Sequence, residues 1–248
     1  MNSNAIRQYL NALDDQHTAS KKIAIFADFD ECATEQHLSR MVTEAVLKGK
    51  STPAIEMAKK DNTTRGLHIL GNVYIGLPLL KFTQVIDSVV DIATPRKNFV
   101  KFLNFVASEK AVVLYFVSSG LSMVISRFLN KVHKETCSFV YTVATSMNTN
   151  EQGTISSHGA LFGVAEKGQV VSYLRKKHKY ACCVTLGHSS GDYELVKAGD
   201  RGMRLCFDDS PQLHKVADRM IEDWDWGQVE ALVKSKLRTV TGLSEALG

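Results

Sequence analysis

The chain has 248 residues, 44% of them hydrophobic and 23% charged, the make-up of a soluble globular protein that buries a sizeable core. Its formal net charge of +4 suits an anionic ligand, but no long basic tract is present and nothing points to nucleic acid. No apolar run approaches the length of a membrane span, and the first residues lack the basic-then-apolar pattern of a secretory leader.

In chain order, residues 5–13 predict a short helix with Ile6, Leu10 and Leu13 on one face. The run Ile23-Ala24-Ile25-Phe26-Ala27 is long enough for a buried strand and too short for a typical helix. It stops at Asp28-Phe29-Asp30, and strand alternation sends both aspartates to one side. Paired carboxylates at the carboxyl end of a strand repel each other unless a cation lies between them. Hard divalent ions such as Mg2+ take such oxygen ligands. Taken alone, the pair reads first as a solvated strand-to-loop turn that happens to hold two acids.

Glu31-Cys32-Ala33-Thr34 reads as a short loop, with Thr34 placed to cap the following helix. Residues 36–91 read as helical, with Pro53 opening one helix and Gly66, Gly71 and Gly76 breaking the stretch. A parallel crossover needs only a dozen or so residues, so this longer connection is expected to fold as a helical module. Pro95 is expected to open a helix through Val106. Residues 111–117 form a continuous apolar run, the mark of a strand buried on both faces, ending in Ser118-Ser119-Gly120. A helix over 121–132, strands over 138–145 and 153–157, and a helix over 165–177 carrying Lys167 near its start come next. The basic cluster Arg175 to Lys179 suits the end of that helix, where the dipole favours cations. A strand over 181–186 ends in Gly187-His188-Ser189-Ser190-Gly191-Asp192. A helix over 194–198, a strand over 203–207 and helices near 212–221 and 228–237 complete the chain. Alternating strands and helices make the class α/β with a mainly parallel sheet, and ligands in such sheets bind beyond the carboxyl ends of the strands.

The cysteines are Cys32, Cys137, Cys182, Cys183 and Cys206, odd in number and with no Cys-x-x-Cys pair. They predict reduced, buried thiols and a cytoplasmic location. Cys32 lies beside acids, which disfavour its thiolate and with it a redox role.

The ordered set Asp28-Phe29-Asp30-Glu31-Cys32-Ala33-Thr34, Val117-Ser118-Ser119-Gly120, Lys167 and Gly187-His188-Ser189-Ser190-Gly191-Asp192 resembles the haloacid dehalogenase superfamily, in its phosphoserine-phosphatase-like branch. The resemblance covers most of the chain from Ile23 to about Phe207. It implies a three-layer Rossmann-like core of residues 1–34 and 95–248 with an inserted helical cap of residues 35–94. It further implies an Mg2+-dependent phosphomonoester hydrolase acting on a small phosphorylated metabolite. Asp28 then matches the nucleophile that becomes a phospho-aspartate. Asp30 matches the general acid and base. Ser118, with Ser119 and Gly120, matches the phosphate-binding segment, and Lys167 the residue that offsets charge on nucleophile and phosphoryl group. Mg2+ would be held by Asp28, the Asp30 carbonyl and an acid of the last motif, here Asp192.

The chain departs from the family pattern at three positions. His188 stands where the last motif usually has its first aspartate, and neutral imidazole is a poor Mg2+ ligand. Mn2+ or another nitrogen-tolerant divalent ion is one consequence, and a His188 contact to substrate phosphate is another. Glu31 stands where relatives often have glycine. Cys32 replaces a usual threonine, while Thr34 matches a second threonine of the pattern. Two further expectations stay open: a pseudo-enzyme or binding module that keeps the fold, and phosphoryl transfer to an acceptor other than water.

Overall fold

The computed structural model describes residues 3–13, 21–61, 63–134, 139–207 and 210–242. Helix α1 (Ser3–Ala12) precedes β1 (Ile23–Ala27). The helices α2 (Leu38–Leu47), α3 (Pro53–Ala58), α4 (Thr64–Asn72) and α5 (Leu79–Asp91) follow, then α6 (Phe99–Ser108) and β2 (Val112–Leu121). Next come α7 (Ser122–Val132), β3 (Val140–Thr145) and the short hairpin of β4 (Met147–Thr149) and β5 (Ile155–His158). The chain continues through α8 (Val164–His178), β6 (Cys182–Gly187), α9 (Tyr193–Lys197), β7 (Arg204–Cys206), β8 (Arg219–Met220) and α10 (Trp226–Thr241). Among the described residues no helix is long and apolar enough to cross a membrane.

The main sheet is parallel in the order β3-β2-β1-β6-β7-β8. β1 lies between β2 and β6, so the chain leaves it in one direction for its next neighbour and returns on the other side. This reversal opens a crevice at the carboxyl end of β1, which is where Asp28 and Asp30 stand. All five β1 residues are buried. Alternation divides them: Ile23, Ile25 and Ala27 pack with Phe99, Phe102, Phe128 and Trp226 of α6, α7 and α10. Ala24 and Phe26 pack with Leu10, Val170, Val171 and Leu174 of α1 and α8. An α/β class with helices on both faces is therefore borne out. The Ile6 side chain, Ser138 and Cys137 lie outside the described residues.

Several local expectations are corrected. The helix expected near 212–221 is a single 3-10 turn, Leu213–Lys215, followed by the edge strand β8. There Arg219 and Met220 pair with Leu205 and Cys206 of β7, and sheet pairing overrides the apolar spacing. Pro95 does not open a helix: it bridges to Thr34, and α6 begins after Asn98, whose φ is 59°. Thr34 likewise is no cap, because its hydroxyl donates to the Gln36 carbonyl at 2.7 Å. His37 caps α2 instead, its Nδ1 accepting from the Arg40 amide at 3.3 Å. β2 runs on through Ser118-Ser119-Gly120 to Leu121, with Ser118 and Leu121 paired to Ala144 and Thr145 of β3 and a bulge between them.

The segment 35–94 is helical as expected; Leu38, Val42, Phe82 and Ile86 join it to the core of the sheet, and hydrogen bonds tie it down further. Lys131 of α7 donates to the carbonyls of Val90, Asp91 and Ala93 at 2.8, 2.9 and 3.1 Å, which satisfies the orphan carbonyls ending α5. The β4–β5 hairpin joins residues 76–79 through Gly76 N–H to Ile155 O at 2.8 Å, Ile155 N–H to Leu77 O at 2.9 Å and Leu79 N–H to Gly153 O at 2.8 Å.

Candidate active site

A cleft of about 260 Å3 opens above the carboxyl end of β1. Asp28, Asp30, Ser118, Ser119, Gly120, Lys167 and His188 all line it, so seven of the positions singled out in sequence meet in one place. Asp192 is fully buried behind them.

Lys167 lies in the first turn of α8, with its side chain buried. Its Nζ donates to Asp28 Oδ1 at 2.9 Å and to Asp192 Oδ1 at 2.6 Å. Burial opposes its charge, but the two carboxylates raise its pKa above the ordinary lysine value, so the ammonium is permanent near neutral pH. The other oxygen of Asp192 accepts from the backbone amides of His188 and Ser189 at 3.0 and 3.1 Å. Burial alone would raise the Asp192 pKa, yet Lys167 and His188 hold it far below the carboxylate range. Both Asp192 oxygens are therefore engaged in anchoring Lys167 and the turn that presents His188.

Asp30 faces the cleft differently. Its Oδ1 accepts from the Ser39 amide at 3.3 Å. Its Oδ2 is buried and makes no hydrogen bond, with His37 Nδ1 standing 3.4 Å away. A buried carboxylate oxygen with an open lone pair is placed to exchange a proton with a ligand in the cleft. The Ser118 hydroxyl accepts from the Gly120 amide at 3.1 Å. The Ser119 hydroxyl donates to the Phe162 carbonyl at 2.7 Å, so that side chain serves to hold the loop.

Residues that sequence reasoning treated as departures also come here. Glu31 has φ of 61°, in the left-handed region, and its carbonyl accepts from Arg96 Nε at 3.0 Å. Arg96 in turn lies over the Trp224 ring at 4.0 Å. The Cys32 carbonyl accepts from Trp226 Nε1 at 2.9 Å. Burial pushes the Cys32 thiol pKa up to about 12. None of the four described cysteines forms a disulfide. His188 Nε2 stands 3.3 Å from Glu31 Oε2, and that hydrogen bond lowers the Glu31 pKa. His188 Nδ1 stands 3.4 Å from Cys32 Sγ, 3.4 Å from Asp28 Oδ2 and 3.3 Å from Asp192 Oδ2. Burial opposes a charge on this ring, but its thiol and carboxylate neighbours raise its pKa well above the ordinary value. The surroundings draw positive charge to this spot.

Among the described residues, Asp28, Cys32 and His188 are the cluster whose ligand atoms all lie within 4.8 Å of one another. Mg2+ asks for near-octahedral oxygen ligation. Here a nitrogen and a sulfur stand beside Asp28, and Asp192 is already committed, so the donor set does not fit that ion.

Arg40, Lys59 and Lys60 of the segment 35–94 line the same cleft, with His37 beside them. Nothing in their spacing marked Arg40 or His37. Arg65 and His68 do not line the cleft, and His68 packs edge-on against His158 with ring centroids 4.9 Å apart. A second cavity of about 100 Å3 adjoins the cleft, with His37, Arg40, Lys59, Ser119 and Gly120 common to both. It extends under α2 and α4 past Thr43, Leu70, Tyr74 and Met147.

No protein-family model matches the chain, and no curated protein matches it in sequence. Solved structures do match. A phosphoserine phosphatase in substrate-bound form is 18% identical, over 85% of this chain and 97% of that one, with a TM-score of 0.64. A probable phosphoserine phosphatase from Vibrio cholerae is 13% identical, over 96% of this chain and 74% of that one, with a TM-score of 0.67. A family hydrolase from Salmonella enterica serovar Typhi is 14% identical, over 91% of this chain and 78% of that one, with a TM-score of 0.65. The chain is thus similar in fold to the phosphoserine phosphatases and to a HAD family hydrolase.

Proposed function

We propose that this protein is a phosphomonoester hydrolase that works through a phospho-aspartyl intermediate on Asp28. The observation that carries the reading is the bridge from Asp28 through Lys167 to Asp192, standing in one cleft with the open Oδ2 of Asp30. A phosphoserine phosphatase of similar fold, 19% identical with a TM-score of 0.64, is known as an analogue of its phospho-aspartyl intermediate.

Asp28 forms a bond from its carboxylate oxygen to phosphorus as the ester oxygen leaves, and that oxygen takes a proton from Asp30. Asp30 then accepts a proton from water. The water oxygen attacks phosphorus, the acyl-phosphate bond breaks, and Asp28 is restored as a carboxylate. Lys167 holds Asp28 in place and offsets the charge of the phosphoryl oxygens, together with the Ser118 hydroxyl and the backbone amides beside it. A divalent ion, when bound, would supply further positive charge at Asp28. Mg2+ is the ion the resemblance implies, but an ion tolerant of nitrogen, such as Mn2+, suits His188 better. The segment 35–94 acts as a cap that limits access to a small phosphorylated metabolite and excludes bulk water when closed.

Asp28→Asn is expected to abolish phosphate release from p-nitrophenyl phosphate, with the fold intact by circular dichroism. Release that survives this change removes the mechanism. A second reading, a binding module that has lost turnover, is favoured by His188 in the place of an acid. Phosphate release by the wild-type chain above the buffer rate, across Mg2+, Mn2+ and Zn2+, excludes it.

A further inference from the structure

The three positions at which the chain departs from its family's pattern are neighbours in space. Cys32 and His188 are 156 residues apart in sequence, yet Sγ and Nδ1 stand 3.4 Å from each other. Asp28 Oδ2 lies 3.4 Å from the same nitrogen. Glu31 faces the far side of the ring, its Oε2 at 3.3 Å from Nε2.

These separations have a specific meaning. A charge-assisted N–H···O bond closes to about 2.7–2.9 Å, and Nδ1 makes none that short. It stands instead at nearly equal distance from a thiol and two carboxylates. Ligand atoms held tetrahedrally at bond lengths of about 2.0–2.3 Å lie roughly 3.3–3.7 Å apart, which matches the 3.4 Å from Nδ1 to Cys32 Sγ and to Asp28 Oδ2, and the three ligand atoms all lie within 4.8 Å of one another. An imidazole that ligates through one nitrogen usually donates its other N–H to a carboxylate, which fixes tautomer and ring orientation. Glu31 supplies that carboxylate, and it does so from a left-handed backbone conformation, φ 61°, that a non-glycine residue seldom adopts. Arg96 and Trp226 hold the backbone of residues 31 and 32 where this reach is possible.

We propose that Asp28, Cys32 and His188 form a site for a transition-metal dication of the zinc and cobalt class, with Glu31 orienting the imidazole. A thiolate and an imidazole select such ions over hard ones. Binding releases two protons to solvent, one from the Cys32 thiol and one from His188 Nδ1, and leaves a thiolate and a neutral imidazole whose Nδ1 lone pair is on the ion. Asp28 and His188 also line the cleft, so the cluster is reachable from it. The inference deepens the hydrolase reading by naming the ion, and rests on that reading for the ion's use but not for its binding.

The full chain, stripped with a chelator, is titrated with Co2+, Zn2+ and Mg2+ and followed by absorption and by metal content. One Co2+ per chain with a sulfur-to-cobalt charge-transfer band is expected, displaced by Zn2+ and not by Mg2+. Cys32→Ser should lose the band with its far-ultraviolet circular dichroism unchanged. Glu31→Gln should keep the band and weaken binding about 10–100-fold. His188→Asp should move the preference toward Mg2+. A chain that takes up neither Co2+ nor Zn2+, takes up Co2+ without the band, or holds Mg2+ as firmly as Zn2+ overturns the proposal. Asp30→Asn separates the two readings: it should lose hydrolysis and keep the band, so an inactive wild-type chain with the band retires only the phosphatase.

Discussion

Lys167 is a buried ammonium held between two carboxylates, and neither partner can be removed cheaply. Taking away one member of a buried ion pair strands the rest, at a cost of about 3–5 kcal/mol. Lys167→Met is therefore expected to lower the unfolding free energy by about that amount in urea titrations and to remove phosphate release. The pH dependence follows from Asp192. Burial works against its charge, but Lys167 and His188 depress its folded pKa below the unfolded carboxylate value of about 3.9. A depressed acid contributes stability that is whole above the unfolded value and is lost as pH falls toward the folded one. With chelator present, the stability gap between wild type and Asp192→Asn should be constant above about pH 5 and narrow steadily as the pH drops below about 4. A gap that grows on acidification contradicts the assignment of Lys167 and Asp192 as a charged pair.

At the scale of elements, the readable parts of the chain are those where a single pattern decides the outcome. β1 could be read to the residue because it is apolar on both faces and ends at a charge. β2 could not, since Ser118-Ser119-Gly120 read as a turn, and the strand passes through them by a bulge between Ser118 and Leu121, which pair with Ala144 and Thr145 of β3. The stretch 212–221 has apolar spacing that resembles a helix, and sheet edge pairing with β7 wins there. In the site, three motifs could be placed at the ends of their strands and Lys167 at the start of its helix. The meeting of Glu31, Cys32 and His188 could not be foreseen, because it depends on the register of β1 against β6. The extension of β2 also explains its glycine. A Cβ on Gly120 would lie 2.7 Å from Asp30 Oδ2 and 2.4 Å from Ser39 Oγ, closer than side chains tolerate. Gly120→Ala should displace the Asp30 carboxyl and lower kcat about 100-fold, at an overpacking cost of about 1–3 kcal/mol in stability. Unchanged turnover would mean that Asp30 does not act from the position seen here.

Across the whole molecule, function divides between two surfaces that face each other. The sheet end carries the acids Asp28 and Asp30, and the segment 35–94 brings the cations Arg40, Lys59 and Lys60, with His37, to the same cleft. The hairpin β4–β5 and Lys131 fasten that segment from outside, so its cations sit over the acids without contributing to the core of the sheet. Lys59 is partly spent on Glu56, at 3.0 Å. Arg40 lines both the cleft and the adjoining cavity beneath α2 and α4, where the part of a substrate beyond the phosphoryl group would lie. A guanidinium there favours a metabolite carrying a second anionic group, and a hydrogen bond to a charged partner is worth about 1.5–3 kcal/mol, or roughly 10–100-fold in binding. Arg40→Ala should raise KM by that factor for a phosphomonoester that also bears a carboxylate. Its kcat should change little, and p-nitrophenyl phosphate, which has no second anion, should be turned over nearly as before. Equal losses on both substrates would place Arg40 at the phosphoryl group itself, and no loss on either would remove it from recognition. The comparison thus distinguishes a cap that selects the remote end of the substrate from one that only covers the chemistry.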